Sequence, residues 1–243
     1  MSHGFEVVDG PSHIALDEAA HILIPGRGRD ATGYTLSQGG IDRIKLSFDL
    51  YTHLTGIQPG HEFPGRVVPS GYKTPADHNG NATFLYDTAN GQLRHYRGYP
   101  EAYSGKVLLE RLGVTAKYIS PEMNSIDTVT NFVRSEQEDH FGTNDRRPVA
   151  IVAQEAHLDR MLQVIAPRTL RRDYIGVVVP EAVPSSDSRV ARLFSRVVCA
   201  GLSPDSKHAL RRTDRAANIL WHSVLVAEKL TGTSKPYPRE AVS

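Results

Sequence analysis

Five short apolar runs punctuate the chain: HILIPG (His21 to Gly26), RVVPSG (Arg66 to Gly71), AKYISP (Ala116 to Pro121), VAIVAQ (Val149 to Gln154) and YIGVVVP (Tyr174 to Pro180). Each is rich in Val and Ile and stops at Gly, Pro or a polar residue, the signature of a buried strand. Their hydrophobicity is continuous rather than alternating, so both faces are covered, as in a parallel sheet flanked by helices. Between them lie segments of helical period, at Ser37 to Leu54, Glu101 to Leu112 (stopped by Gly113), Asp127 to Glu138 and Ala156 to Ile165. Strands alternating with helices predict an α/β, Rossmann-like three-layer sandwich with right-handed crossovers around a sheet of about five parallel strands.

Beyond the fifth run the alternation ends. Ser186 to Ala200 and Asp205 to Leu230 read as two consecutive helices, the second amphipathic through Leu210, Ala217, Leu220, Val224 and Ala227. Such a pair would cover a sheet edge or form a homodimer contact. Gln58 to Gly65 and the Gly-, Asn- and Tyr-rich stretch Lys73 to Arg97 read as loops, the latter long enough for a lid. One domain over 1–243 is expected, with its core at 20–180 and a helical extension at 186–231.

Composition narrows the partners. Among 243 residues, 28 basic side chains balance 27 acidic ones, so bulk electrostatics give no reason to expect a nucleic acid. The single cysteine, Cys199, excludes an intramolecular disulfide and suits a reducing compartment. The N-terminus lacks the basic-then-apolar order of a signal sequence, and no stretch has the length of a membrane span. A cytoplasmic protein with no membrane partner is the expectation.

Ligands of open parallel sheets bind where strands end and helices begin. Polar residues gather there in this chain: Gly26, Arg27 and Gly28 after the first run, Ser70 and Gly71 after the second, Glu122, Asn124 and Ser125 after the third, and Gln154, Glu155, His157 and Arg160 after the fourth. IPGRGRD suits a phosphate cradle or equally a solvated turn. His157 and Arg160, three apart, share a helix face, where an imidazole can move a proton and a guanidinium can hold an anion. Capping of the strand by His157, with Arg160 paired to a surface carboxylate, explains the pair as well. Asn124 or Ser125 can cap the helix that follows, but Glu122 has no such duty. It points either to a ligand or to an ion pair with Arg43 or Arg160. No HExxH or GxSxG pattern is present.

The order of LSQGGIDRIKLSFDLY, VVPSG, EAYSGKVLLERLGV, Glu122–x–x–Ser125–x–x–Thr128–x–x–Asn131 and His157–x–x–Arg160 resembles the YdcF-like family, known as domain of unknown function 218. The similarity spans roughly Ile22 to Pro180. PGRGRD and the insert at Lys73 to Arg97 differ from the usual family pattern. The resemblance implies a Rossmann-like sheet with polar clusters on one rim and a small-molecule ligand, S-adenosylmethionine being one known in the family. It points to a site of Arg43, Ser70, Glu101, Glu122, Ser125, Thr128, Asn131, His157 and Arg160. His157 would be the proton-transfer group and Glu122 would meet an amino or hydroxyl group of a nucleotide-like or adenosyl metabolite. Group transfer is the reaction implied. A phosphoester hydrolase and a non-catalytic dimerising protein are the alternatives.

Overall fold

The structure is a computed structural model that describes residues 4–28, 35–71, 84–87, 93–96, 100–181, 189–206, 208–217 and 219. In chain order the main elements are β1 (Val7–Val8), β2 (His21–Pro25), α1 (Gln38–Ile57), β3 (Val67–Ser70), β4 (Phe84–Asp87), β5 (Leu93–Tyr96), α2 (Glu101–Leu112), α3 (Thr128–Gln137), β6 (Val149–Gln154), α4 (Glu155–Arg160), α5 (Ala166–Thr169), β7 (Tyr174–Val179) and α6 (Arg189–Cys199). A π-helical turn, Met161–Ile165, joins α4 to α5. The fold is α/β. Its five-stranded sheet has the order β1-β7-β6-β2-β3 and is parallel except for β1, a two-residue edge strand antiparallel to β7. Two residues are too few to show a period, which is why the apolar pattern does not reveal β1.

The third apolar run departs from expectation. Residues Ala116–Tyr118 form a 3₁₀ turn, and only isolated bridges at Ile119 and Glu122 lie beside Val67 and Ser70 of β3. Ser120 donates to Val67 O and Glu122 to Pro69 O, while Gly71 donates back to Glu122 O. The one bond needed to complete the parallel ladder would come from residue 69, and proline has no N–H to give. The run therefore takes the edge position without becoming a regular strand. Counted with it, the parallel runs stand in the order 3-2-1-4-5, which is compatible with a Rossmann-like arrangement whose switch point falls between β2 and β6.

Alternate residues of the strands enter two separate cores. Leu23, Val149, Ile151 and Ala153 pack with α3, α4 and α6, whereas Ile22, Ile24, Ala150 and Val152 pack with α1 and α2. Both faces of the sheet are thus dry, the physical cause of its continuous apolar runs.

Helix boundaries follow local chemistry. Ser37 caps α1 by accepting from Gly40 N at 3.2 Å, and Gly113 ends α2 in the left-handed region at φ 113°. Asp127, rather than Asn124 or Ser125, caps α3, accepting from Thr130 N at 2.8 Å. Within Lys73 to Arg97, the stretch read as a loop and lid, β4 and β5 pair antiparallel; the rest of that stretch lies outside the described residues. Residues 209–217 are helical, and the rest of the second C-terminal helix expected to Leu230 falls outside the described residues apart from Ile219.

Candidate functional site

The switch point between β2 and β6 is occupied by a side chain of α1. Arg43 is 1% exposed. Its Nη1 donates to Pro25 O at 2.6 Å and Gly26 O at 3.2 Å, its Nε donates to Gln154 Oε1 at 2.7 Å, and Nη2 donates to the same oxygen. Gln154, the last residue of β6, turns its amide N–H to Gly39 O at 3.1 Å. The guanidinium thereby ties the ends of two strands to the first turn of α1. Burial, then the charge of Arg27, push its pKa down to about 9, so it stays cationic at neutral pH. Most of its donors serve the protein's own carbonyls, which makes Arg43 the floor of the crevice more than a free clamp.

Glycine lets the rim close tightly. A Cβ on Gly26 would lie 2.4 Å from Glu101 Oε2, at the first residue of α2. Gly71 adopts φ +144° and accepts from Ala102 N at 2.8 Å, which docks α2 onto the end of β3. Gly28, at φ +94°, donates its N–H to Glu101 Oε2 at 2.9 Å. The expected phosphate cradle is therefore corrected in one respect. The Gly28 amide already serves a carboxylate of the chain itself, so an anion could take it only by displacing Glu101.

Above this floor stand His157, Arg160 and Arg27. His157 is half-buried in α4. Desolvation and the guanidiniums of Arg43, Arg27 and Arg160 push its pKa down to about 3, against the opposing pull of Glu181. At neutral pH it is an uncharged imidazole, able to accept or donate a hydrogen bond. Arg27 is partly exposed and its Nη2 lies 3.9 Å from Glu181 Oε1. Arg160 is 5% exposed and donates from Nη1 to Ser195 Oγ of α6 at 3.0 Å. Four chain segments bring these charges together, from the ends of β2, β6 and β7 and from α1.

Glu122 belongs to a second, adjoining group. It is fully buried. Its Oε1 accepts from Asn124 N at 2.6 Å and Ser125 N at 2.9 Å, and its Oε2 accepts from Ser70 Oγ at 2.7 Å and Ser125 Oγ at 2.5 Å. Ser125 Oγ also contacts Asn131 Oδ1. Four donors surround the carboxylate, so the sequence-based expectation that Glu122 meets a ligand or pairs with Arg43 or Arg160 is corrected: it holds its own loop instead. Burial nonetheless raises its pKa, with hydrogen bonds from Ser125 and Ser70 opposing. Asn131 is buried and Thr128 half-buried at the start of α3. The two groups touch at Ser70, which also lines the crevice with Gly26, Arg43 and Glu101.

Among these lining residues the space amounts to about 20 Å³, room for roughly one water. The chain continues past Gly28, Gly71 and Glu181 at this rim into residues outside those described. Glu181 was missed by sequence reasoning, although the rule used for the other strands, polar residues after a strand end, finds it once applied to the fifth run. Gln154 was noted only for its position. Its amide bridge depends on α1, more than a hundred residues earlier.

No family model matches the chain, and no match is found among curated proteins or solved structures. Among the described residues no helix is long and apolar enough to cross a membrane.

Proposed function

We propose that the chain is a YdcF-like α/β protein whose crevice between β2 and β6 receives the anionic end of a small nucleotide-like or adenosyl metabolite. S-adenosylmethionine is the ligand to which the family resemblance points. The observation that carries this reading is the convergence of Arg27, Arg43 and Arg160 on a neutral His157. Three guanidiniums beside one imidazole favour an anion, and the carboxylate of such a ligand would relieve the repulsion among them. Glu181 and Glu101 suit its amino or hydroxyl groups. In group transfer the bound anion would offset the arginines and raise the basicity of His157, which would then accept the proton released by the acceptor as the new bond forms. Phosphoester hydrolysis is the second reading, favoured because the same three cations match a phosphoryl dianion more fully than a single carboxylate.

Thermal unfolding against S-adenosylmethionine, S-adenosylhomocysteine, AMP and inorganic phosphate separates these readings. A ligand at one hundred times its Kd raises stability by about 2.7 kcal/mol. A rise with the adenosyl compounds that is lost in Arg27→Ala supports the first reading. A rise with phosphate and AMP alone supports the second. No shift with any of them at millimolar concentration refutes both.

A further inference from the structure

The C-terminal helices carry a charge imbalance that the rest of the chain does not. Segment 189–219 has seven basic residues against two acidic ones. The remainder has 21 basic and 25 acidic, since the whole has 28 and 27. Neither acid of the segment neutralises its outer face. Asp214 is drawn to Arg134 of α3 at 2.6 Å, and Asp205 Oδ1 lies 3.5 Å from Arg171. Arg192 is held by Asp159 and Arg212 by the carbonyls of Ala200 and Gly201, which leaves Arg189, Arg196, Arg211 and Arg215 exposed.

The same faces hold the most exposed large apolar residues among those described: Leu193 and Val197 at 64% and Ile219 at 61%. On α6, Leu193 and Val197 are one turn apart, flanked by Arg189 and Arg196. On the next helix Arg211, Arg215 and Ile219 share one stripe, and the opposite stripe, Ala209, Thr213 and Ala217, is buried. Val198, Cys199, Leu202 and Ala209 all enter one core cluster, so both outer faces look away from it.

From this arrangement we infer that the two helices form a docking face for an anionic lipid surface, with the arginines at the headgroups and Leu193, Val197 and Ile219 dipping into the acyl boundary. Basic residues interleaved with isolated aliphatic ones on the outer faces of a helix pair are the chemistry of interfacial binding. The alternatives fit less well. A twofold homodimer through these helices would set the same arginines against themselves. A protein partner would be expected to find aromatic anchors, and among the described residues the exposed large apolar side chains of these helices, Leu193, Val197 and Ile219, are all aliphatic. A nucleic acid would use the arginines but leave the aliphatic side chains in water. Such a peripheral contact needs no membrane-spanning helix, and it departs from the expectation of no membrane partner.

The test is co-sedimentation of the full chain with vesicles of phosphatidylcholine alone and with 30% phosphatidylglycerol, in about 0.1 and 0.5 M salt. Binding to the anionic vesicles alone, weakened at least tenfold by R211E/R215E and at least threefold by L193S/V197S, supports the face. All four positions are exposed, and far-UV circular dichroism and thermal unfolding verify that each variant folds. The inference is overturned if the wild-type chain stays in the supernatant with anionic vesicles. It is equally overturned if L193S/V197S binds as the wild type does, which would reduce the face to a general polyanion contact.

Discussion

Glu122 gives the sharpest test of whether a buried polar cluster serves the fold or a ligand. In Glu122→Ala the backbone N–H groups of Asn124 and Ser125 lose their acceptor, as do the hydroxyls of Ser70 and Ser125. The hydroxyls have other oxygens within reach, Asn131 O at 3.4 Å from Ser70 Oγ and Asn131 Oδ1 beside Ser125. The two amides do not rotate. At about 1–3 kcal/mol for each buried group left unsatisfied, and with some relief from removing a desolvated charge, the net loss is about 3 kcal/mol. Glu122→Gln keeps an oxygen for the amides and offers its NH₂ to hydroxyls that can turn to accept, so it should fall within about 1 kcal/mol of wild type. Urea unfolding followed by far-UV circular dichroism reads the difference. With an m-value near 3 kcal/mol/M, Ala shifts the midpoint by about 1 M and Gln by a third of that or less. The pH dependence supplies the sign. Because the folded pKa is raised, the unfolded chain sheds this proton first, so the cost to wild type grows as pH climbs from about 4.5 to the folded pKa and then stays constant. Glu122→Gln lacks that cost and should gain on wild type over the same range. Wild-type stability in Glu122→Ala, or an equal loss in Ala and Gln, would refute the loop-holding role.

Further outcomes follow from the crevice. Arg43→Lys cannot reproduce the fork to Gln154 and the carbonyls of Pro25 and Gly26; it should lose about 3 kcal/mol, measured by the same unfolding curve. Gly26→Ala places a methyl against Glu101 and should free the Gly28 amide, seen as faster hydrogen exchange there together with a loss of about 1–3 kcal/mol. His157 and His21 have folded pKa values of about 3 and about 4, below the ordinary 6.5. Their cost is absent above pH 6.5 and grows as pH falls toward those values, so His157→Gln should flatten the acid limb of a stability–pH curve. Under the proposed function, bound phosphate or S-adenosylmethionine offsets the arginines and raises the His157 pKa, which an NMR titration of its ring protons would follow.

How much of this was legible in the sequence depends on how local each feature is. Period and composition marked β2, β3, β6 and β7, and Gly113 marked the stop of α2, because burial on both faces and a left-handed cap each leave a trace in a few adjacent residues. The third run read as a strand because its apolar residues fit one. Whether a strand forms also depends on the neighbour's donors, and Pro69, some fifty residues earlier, withholds one. The cap of α3 is Asp127 rather than Asn124 or Ser125, because with polar residues this close in the chain the local torsions decide which side chain meets the amides.

At the rim, chain order alone fixes which kinds of groups reach the strand ends, namely glycines, arginines, carboxylates and one histidine, since placement after a strand is set along the chain. The folding of the chain set their duties. It filled the acceptor sites of Glu122 with its own loop, turned Glu101 onto Gly28, bound Arg43 to the chain's own carbonyls and left His157 among cations. The reason is that a side chain's residue type fixes what it can bond, whereas the partner it does bond is whichever distant segment folding brings within about 3 Å.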